Sequence, residues 1–241
     1  MLALYHTIVY QPLYNGLIFL LSISPVIDTG IAVIILTIVV KIVLFPLSKK
    51  FIATQMVMKE VQPLIDSIKA KYKDRQEQAR KIMDVYKDKK VNPFSGFLLI
   101  LVQIPILFAL YSVFNSGLPA IKLEDLYSFI SAPSEVSMMF LGWFDVSEHK
   151  NIILALLVAL TQFFQARFMI AGQKPAAGGA PSAATDFARS MNVQMQYVLP
   201  IFIGVISYNL SGALAIYWIT SNLFAIGQEI YMKRLRKLRA Q

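Results

Sequence analysis

The sequence predicts an all-α membrane protein with five transmembrane helices, its N-terminus outside and its C-terminus inside. Three observations carry that prediction. Hydrophobic residues make up 56% of the 241-residue chain and charged residues 15%, against about 45–50% and about 25% in soluble domains, and mean hydropathy is +0.58. The apolar residues gather into runs able to cross a bilayer core of ~30 Å, which takes about 20 residues of helix. The basic residues fall into alternate loops. A water-soluble enzyme and a disordered chain are both excluded. Cysteine is absent, which removes disulfides, thiolate metal sites, a cysteine nucleophile and acylated cysteine anchors.

The first apolar stretch, residues 13–23, lies between Pro12 and Pro25 and is short for a span. A signal-peptide core would have Lys or Arg before it and a cleavage box after it, and neither is present. Residues 1–29 therefore read as an N-terminal interfacial segment carrying an amphipathic helix. Residues 30–241 form the five-helix core. Residues 30–47 are the first span, interrupted only by Lys41; residues 94–114 are the second, without charge; residues 151–171 are the third, with Arg167 near its end. Residues 190–228 then run for 39 positions without a charge, about 58 Å as one helix. That stretch must fold back, and Asn209-Leu210-Ser211-Gly212 supplies the turn-forming residues for two closing helices.

Orientation follows from charge. Residues 48–93 hold 12 basic and six acidic residues, residues 1–29 hold no Lys or Arg, and residues 115–150 hold two bases against five acids. Lys233, Arg234, Arg236, Lys237 and Arg239 close the chain. Basic loops stay in the cytoplasm. The net charge of +9 thus reads as topology, plus attraction to anionic lipid or ribosomal RNA, and not as a DNA-binding face. The basic tail serves either contact, with simple lipid anchoring the more economical.

Between the spans, residues 172–189 are Ala/Gly/Pro-rich and predict a flexible cytoplasmic loop. Residues 49–90 are charged yet periodic. Ile52, Met56, Leu64, Ile65, Ile68 and Tyr72, then Ala79, Ile82, Met83 and Tyr86, recur at helical spacing on either side of Lys73-Asp74-Arg75. This pattern predicts a cytoplasmic helical hairpin. It serves either as a solvated linker or as a movable docking element whose adaptable contacts are Met56, Met58 and Met83.

Lys41 is the charge out of place. An ammonium within a span costs roughly 2.5–3.5 kcal/mol on insertion scales. Read as one straight helix, the eight residues to Lys49 put ~12 Å between Lys41 and the basic cluster. Snorkelling of the four-carbon stem is one answer. A water-filled cavity is the other, favoured because no acidic residue lies well inside a span to pair with it. Thr37 shares the Lys41 face one turn earlier. Gln103, Thr161, Gln162, Gln165, Ser207, Thr220, Ser221 and Asn222 are further polar residues within spans, and Trp218, Ser221 and Asn222 lie on one face of the last helix. Each alone suits interhelical hydrogen bonding. Together with an unpaired cation they predict a shared hydrophilic groove.

Asn92-Pro93-Phe94-Ser95-Gly96, followed by Gln103-Ile104-Pro105-Ile106-Leu107-Phe108-Ala109-Leu110-Tyr111, resembles the second span of the YidC-type membrane protein insertases. Pro200-Ile201-Phe202 and the run from Ser211 to Asn222, with Gln228, resemble the family's closing hairpin. Thr37 to Lys41 with Phe45-Pro46-Leu47 resembles its first span. The resemblance implies five helices around a groove open to the cytoplasm and to lipid and closed toward the outside, in a short form without a large extracytoplasmic domain. It makes Lys41 the groove cation, with Thr37 beside it and Gln165 and Trp218 as lining partners. Lysine stands where the family usually has arginine, so charge is kept and the planar five-donor fork is lost.

The function implied is that of an insertase and chaperone in the cell membrane, acting on nascent membrane proteins. Ribosome, Sec translocation channel and membrane lipids are the implied partners. No cofactor is expected and no nucleotide hydrolysis, since no glycine-rich phosphate loop is present. No enzyme is expected either: His6 and His149 lie outside the spans, and Gly-x-Ser-x-Gly and His-Glu-x-x-His boxes are missing. A small secondary transporter would need acidic residues within the spans. A passive assembly scaffold would share the fold and the groove.

Overall fold

A computed structural model describes residues 2–24, 26–72, 74–90, 95–116, 118–170 and 194–239. The predicted loop at 172–189 and the motif residues Asn92, Pro93 and Phe94 lie outside the described residues. Most of the described residues are helical, and the segment between the second and third apolar runs holds a small β-hairpin.

Proline decides where several helices start. The N-terminal helix runs through α1 (Leu2–Tyr5), a π-helical turn (His6–Tyr10) and α2 (Gln11–Ile23), with Pro12 in the first turn of α2. Proline has no N–H to return to the preceding turn, and that turn widens. The same pairing recurs later, where a π-helical turn (Gln194–Val198) precedes Pro200.

The prediction of an interfacial helix at residues 13–23 undercounts its packing. Tyr14, Leu17 and Ile18 are fully buried in the protein core, and α2 packs against the next helix and the second apolar run. Tyr14 and Asn15 turn inward. The Tyr14 hydroxyl accepts the Lys122 N–H at 2.7 Å, and Asn15 donates to the Asp125 carbonyl at 2.8 Å while accepting the Tyr127 N–H at 2.7 Å. These two polar side chains thus satisfy backbone groups of the half-buried loop that they pack against.

The first predicted span, 30–47, is shorter in the structure. Helix α3 (Thr29–Val43) is capped by Asp28, whose carboxylate accepts the Ile31 N–H at 2.8 Å. At Leu44 the chain bends by 66° into α4 (Phe45–Lys71). Pro46 sits in the first turn of α4, where it interrupts the hydrogen-bond ladder and makes the bend. Phe45, Pro46 and Leu47 therefore belong to the second limb. Helix α5 (Arg75–Asp88) follows with Asp74 as its cap, completing the predicted helical hairpin, and Gln78 donates to the Lys69 and Tyr72 carbonyls to hold the two limbs together.

Helix α6 (Ser95–Ser116) leads into a segment with a 3-10 turn (Leu123–Asp125) and the antiparallel strands β1 (Met139–Phe140) and β2 (Phe144–Asp145). Helix α7 (Ile152–Ile170) follows; its Ile152–Met169 stretch is by itself long and apolar enough to cross a membrane. Then come α8 (Leu199–Tyr208) and α9 (Gly212–Arg239). The turn between them falls on Asn209–Ser211, as the turn-forming residues predict.

The buried core joins α2 to one end only of the other helices. Ala32, Val33 and Leu36 of α3, Ala109, Leu110 and Val113 of α6, Leu154 and Val158 of α7, and Ala213 to Trp218 of α9 form it. All lie toward the end that carries the 118–151 segment.

Candidate functional site

Lys41 stands at the opposite end of α3 from that core, in its last turn. The bend at Leu44 revises the depth inferred from a straight helix. Three residues, or ~4.5 Å of rise, separate Lys41 from the bend, and a cation there also gains from the negative end of the helix dipole. The side chain runs inward to meet its neighbours. Its ammonium donates to the Gln103 side-chain oxygen of α6 at 3.1 Å, and the Gln103 amide nitrogen donates to the Tyr217 hydroxyl of α9. Three helices are thus joined through one polar chain.

The partner is an amide, not a carboxylate. Among the described residues the ion pairs are His6–Asp125, Lys59–Glu229, Lys233–Glu229 and Arg236–Glu60, and none includes Lys41. A neutral acceptor orients an ammonium without cancelling its charge, and leaves further N–H donors free for an incoming group.

The other predicted site residues divide. Gln103 joins Lys41 directly. Thr37 is buried and spends its hydroxyl on the Val33 carbonyl at 2.6 Å, within its own helix. Trp218 and Ser221 are buried on α9. Asn222 is also buried, and donates to Thr161 of α7 at 3.2 Å, an interhelical tie. Gln165 is half-buried on α7, one turn beyond Thr161. Tyr217 was absent from the sequence-derived set, because a tyrosine next to Trp218 in an apolar run has no pattern that separates a polar link from plain packing.

A second polar cluster, centred on Glu229, also escaped the sequence reading. Its carboxylate accepts Lys233 at 3.0 Å and Lys59 of α4 at 3.4 Å, and Lys59 also reaches the Phe168 carbonyl at the end of α7 at 3.4 Å. Arg236 pairs with Glu60 at 2.6 Å. Burial lowers the Lys59 pKa, opposed by the Glu229 charge and reinforced by Lys233. This cluster docks the helical hairpin on α7 and α9. Of the methionines proposed as docking contacts, Met56 is buried, Met58 half-buried and Met83 exposed. Met56 faces the α4–α9 seam beside Met232, so it is already engaged within the protein.

Comparison with known proteins agrees with this architecture. Residues 20–239 match the family described as 60Kd inner membrane protein. The membrane protein insertase YidC of Fusobacterium nucleatum subsp. nucleatum is 34% identical over 229 residues, covering 94% of this chain and 97% of that protein. The one from Clostridium tetani is 35% identical over 215 residues, covering 89% of this chain and 86% of its own. A crystal structure of an active YidC insertase superposes with a TM-score of 0.59 at 23% identity, covering 90% of this chain and 45% of that one. That likeness concerns the fold. With the family model spanning nearly the whole chain, the protein belongs to the YidC family of membrane protein insertases.

Proposed function

We propose that this protein inserts hydrophobic segments of nascent membrane proteins through a hydrophilic groove open to the cytoplasm and lipid, with Lys41 as the cation that meets the polar or acidic outer tail of a substrate. The observation that carries this reading is the Lys41 ammonium, held by Gln103, which is itself bonded to Tyr217, with no carboxylate partner among the described residues. The packed core at the far end of the helices supports closure toward the outside, in the N-out orientation that the charge distribution requires.

The physics is that of a shortened crossing. A polar tail loses water when it enters hydrocarbon, so a wet path part-way through reduces the dehydrated distance. Helix α3 has 15 residues, and the apolar helix that ends in α8 runs over Gln196–Tyr208, or ~22 Å and ~20 Å; helices this short favour local thinning of the bilayer. Transfer of the substrate's own apolar helix into lipid supplies the free energy, with no nucleotide hydrolysis, no cofactor and no catalysed covalent step. The ribosome and the Sec channel are the proposed partners on the delivery side, approached through the basic hairpin and tail.

The test is insertion of a short single-span substrate with an acidic outer tail into vesicles holding this protein alone. Lys41→Glu is expected to abolish insertion, Lys41→Arg to preserve it, and both proteins to remain folded by thermal unfolding in detergent. Normal insertion by folded Lys41→Glu would remove the cation role and leave an assembly scaffold as the better account.

A further inference from the structure

We infer that the tip of the β1–β2 hairpin, Leu141 and Trp143, is seated in the outer interface of the bilayer and fixes the depth at which α3 crosses it. The inference rests on the membrane placement and N-out orientation argued above, and not on the groove mechanism.

The hairpin is mounted on the outer end of α3. The Thr29 N–H and hydroxyl both donate to the Ser137 carbonyl, at 3.0 and 2.7 Å. Gly30 lies against the Phe140 ring so closely that no Cβ would fit. Asp28, already the cap of α3, uses its second carboxylate oxygen to accept the Leu141 N–H at 2.8 Å. One aspartate therefore ties the first turn of the span to the turn of the hairpin.

That turn is held in an unusual conformation. Leu141 and Gly142 both adopt positive φ, 53° and 73°, and the Trp143 N–H closes the turn on the Phe140 carbonyl at 2.9 Å. Two positive φ angles suit a tight hairpin, but leucine is a costly choice for the first. The Asp28 bond braces it. The result is to turn two large apolar side chains outward: Trp143 is 88% exposed and Leu141 59%, and a Cβ on Gly142 would meet only open space.

Position and charge say what covers them. Trp143 follows Leu141 by two residues, so its Cα lies within about 7 Å of a residue bonded to the α3 cap. The outer ends of α7 and α9 are at the same level. Val146, just past β2, accepts the Ala213 N–H at 2.9 Å, and the Gly212 N–H reaches the Glu148 carbonyl at 3.0 Å. Residues 136–144 contain no charge, and Asp145 turns its carboxylate to the Ser147 N–H and hydroxyl. An outward tryptophan on an uncharged, braced turn at the mouth of several membrane helices fits the headgroup layer, where its apolar ring and N–H are both satisfied. Because Asp28 is tied to this anchor and Lys41 lies 13 residues farther along the chain, the anchor sets how deep the Lys41 ammonium sits.

The experiment uses tryptophan fluorescence of the full chain in phosphatidylcholine–phosphatidylglycerol vesicles. The chain has two tryptophans, so Trp218→Phe leaves Trp143 as sole emitter. The Trp143→Phe protein in the natural background provides the same signal by difference should Trp218→Phe fold poorly. Expected are emission shifted to shorter wavelength than in the unfolded chain, and quenching by lipids brominated near the headgroup in preference to lipids brominated near the chain end. A Val39→Cys label, the only thiol in the chain, should then change depth when Trp143 is replaced by Asp. Water-like emission untouched by brominated lipid overturns the proposal. So does shifted emission without lipid quenching, which would mean that a second copy or a protein partner covers the tip. None of these readings requires insertase activity, so failure of the groove mechanism would leave them unchanged.

Discussion

The Lys41 ammonium and the Gln103 amide oxygen meet at 3.1 Å across the α3–α6 interface, and the far side of the same amide donates to Tyr217. Gln103 therefore controls both where the cation points and how much of its charge is available. Gln103→Glu places a carboxylate against the ammonium, and insertion of an acidic-tailed substrate should fall by about tenfold, the equivalent of ~1.4 kcal/mol. Gln103→Leu keeps the charge but loses its orientation, so a smaller drop is expected. Initial rates of vesicle insertion distinguish the two.

Glu229 carries the attachment of the helical hairpin. Its carboxylate is the common partner of Lys59 and Lys233, and removing it leaves two cations facing each other. Glu229→Ala is expected to cost about 2 kcal/mol, below the ~3–5 kcal/mol of a fully buried pair because Lys233 is partly exposed. Faster hydrogen exchange in α4 and α5, with α7 unaffected, would locate the loss at the docking contact.

The Lys59 pKa is lowered from its ordinary value of 10.5. Between the folded value and 10.5 the unfolded chain binds the extra proton, so stability contributed by this group rises with pH through that window and is lost as pH falls through the folded value. Lys59→Met removes this dependence. Comparing the pH slopes of thermal unfolding for the two proteins in detergent measures it; identical slopes would discount the burial of Lys59.

Asn15 bridges α2 to the loop that follows α6 through the Asp125 carbonyl and the Tyr127 N–H. It is 1% exposed. Asn15→Leu leaves the Tyr127 N–H without its partner and the Asp125 carbonyl with only the 3.4 Å bond from Gln11, and should destabilise the protein by about 1–3 kcal/mol. Protease cleavage within residues 118–130 provides a local readout.

Gly204 lets α8 approach α7 closely, since a Cβ there would stand 2.9 Å from the Ala159 Cβ. Gly204→Val is expected to cost roughly 1–3 kcal/mol through overpacking, seen as a lower unfolding temperature. Ala159→Gly in the same protein should recover part of it.

Much of this architecture was legible from local pattern. Uninterrupted apolar runs marked α6, α7 and the closing pair, because transfer of apolar surface depends on composition and length alone. The turn at Asn209–Ser211 and the split of the charged segment 49–90 at Asp74 followed from residues that favour turns and caps. Pro46 was equally visible, yet treating residues 30–47 as one straight span missed the 66° bend it makes.

By itself the sequence determined that these helices would be apolar, where the basic residues would gather along the chain, and that Lys41 would lack an acidic partner along its own span. Tertiary structure alone decided that Gln103 holds that lysine and is itself tied to Tyr217, that Glu229 gathers Lys59 and Lys233, and that Tyr14 and Asn15 face inward. The physical reason is range. Hydrophobicity and net charge add up residue by residue along the chain, whereas a hydrogen bond exists only within a few tenths of an ångström of its optimum. Residues 62 and 170 positions apart, as in Lys41–Gln103 and Lys59–Glu229, reach that distance only when whole helices have packed.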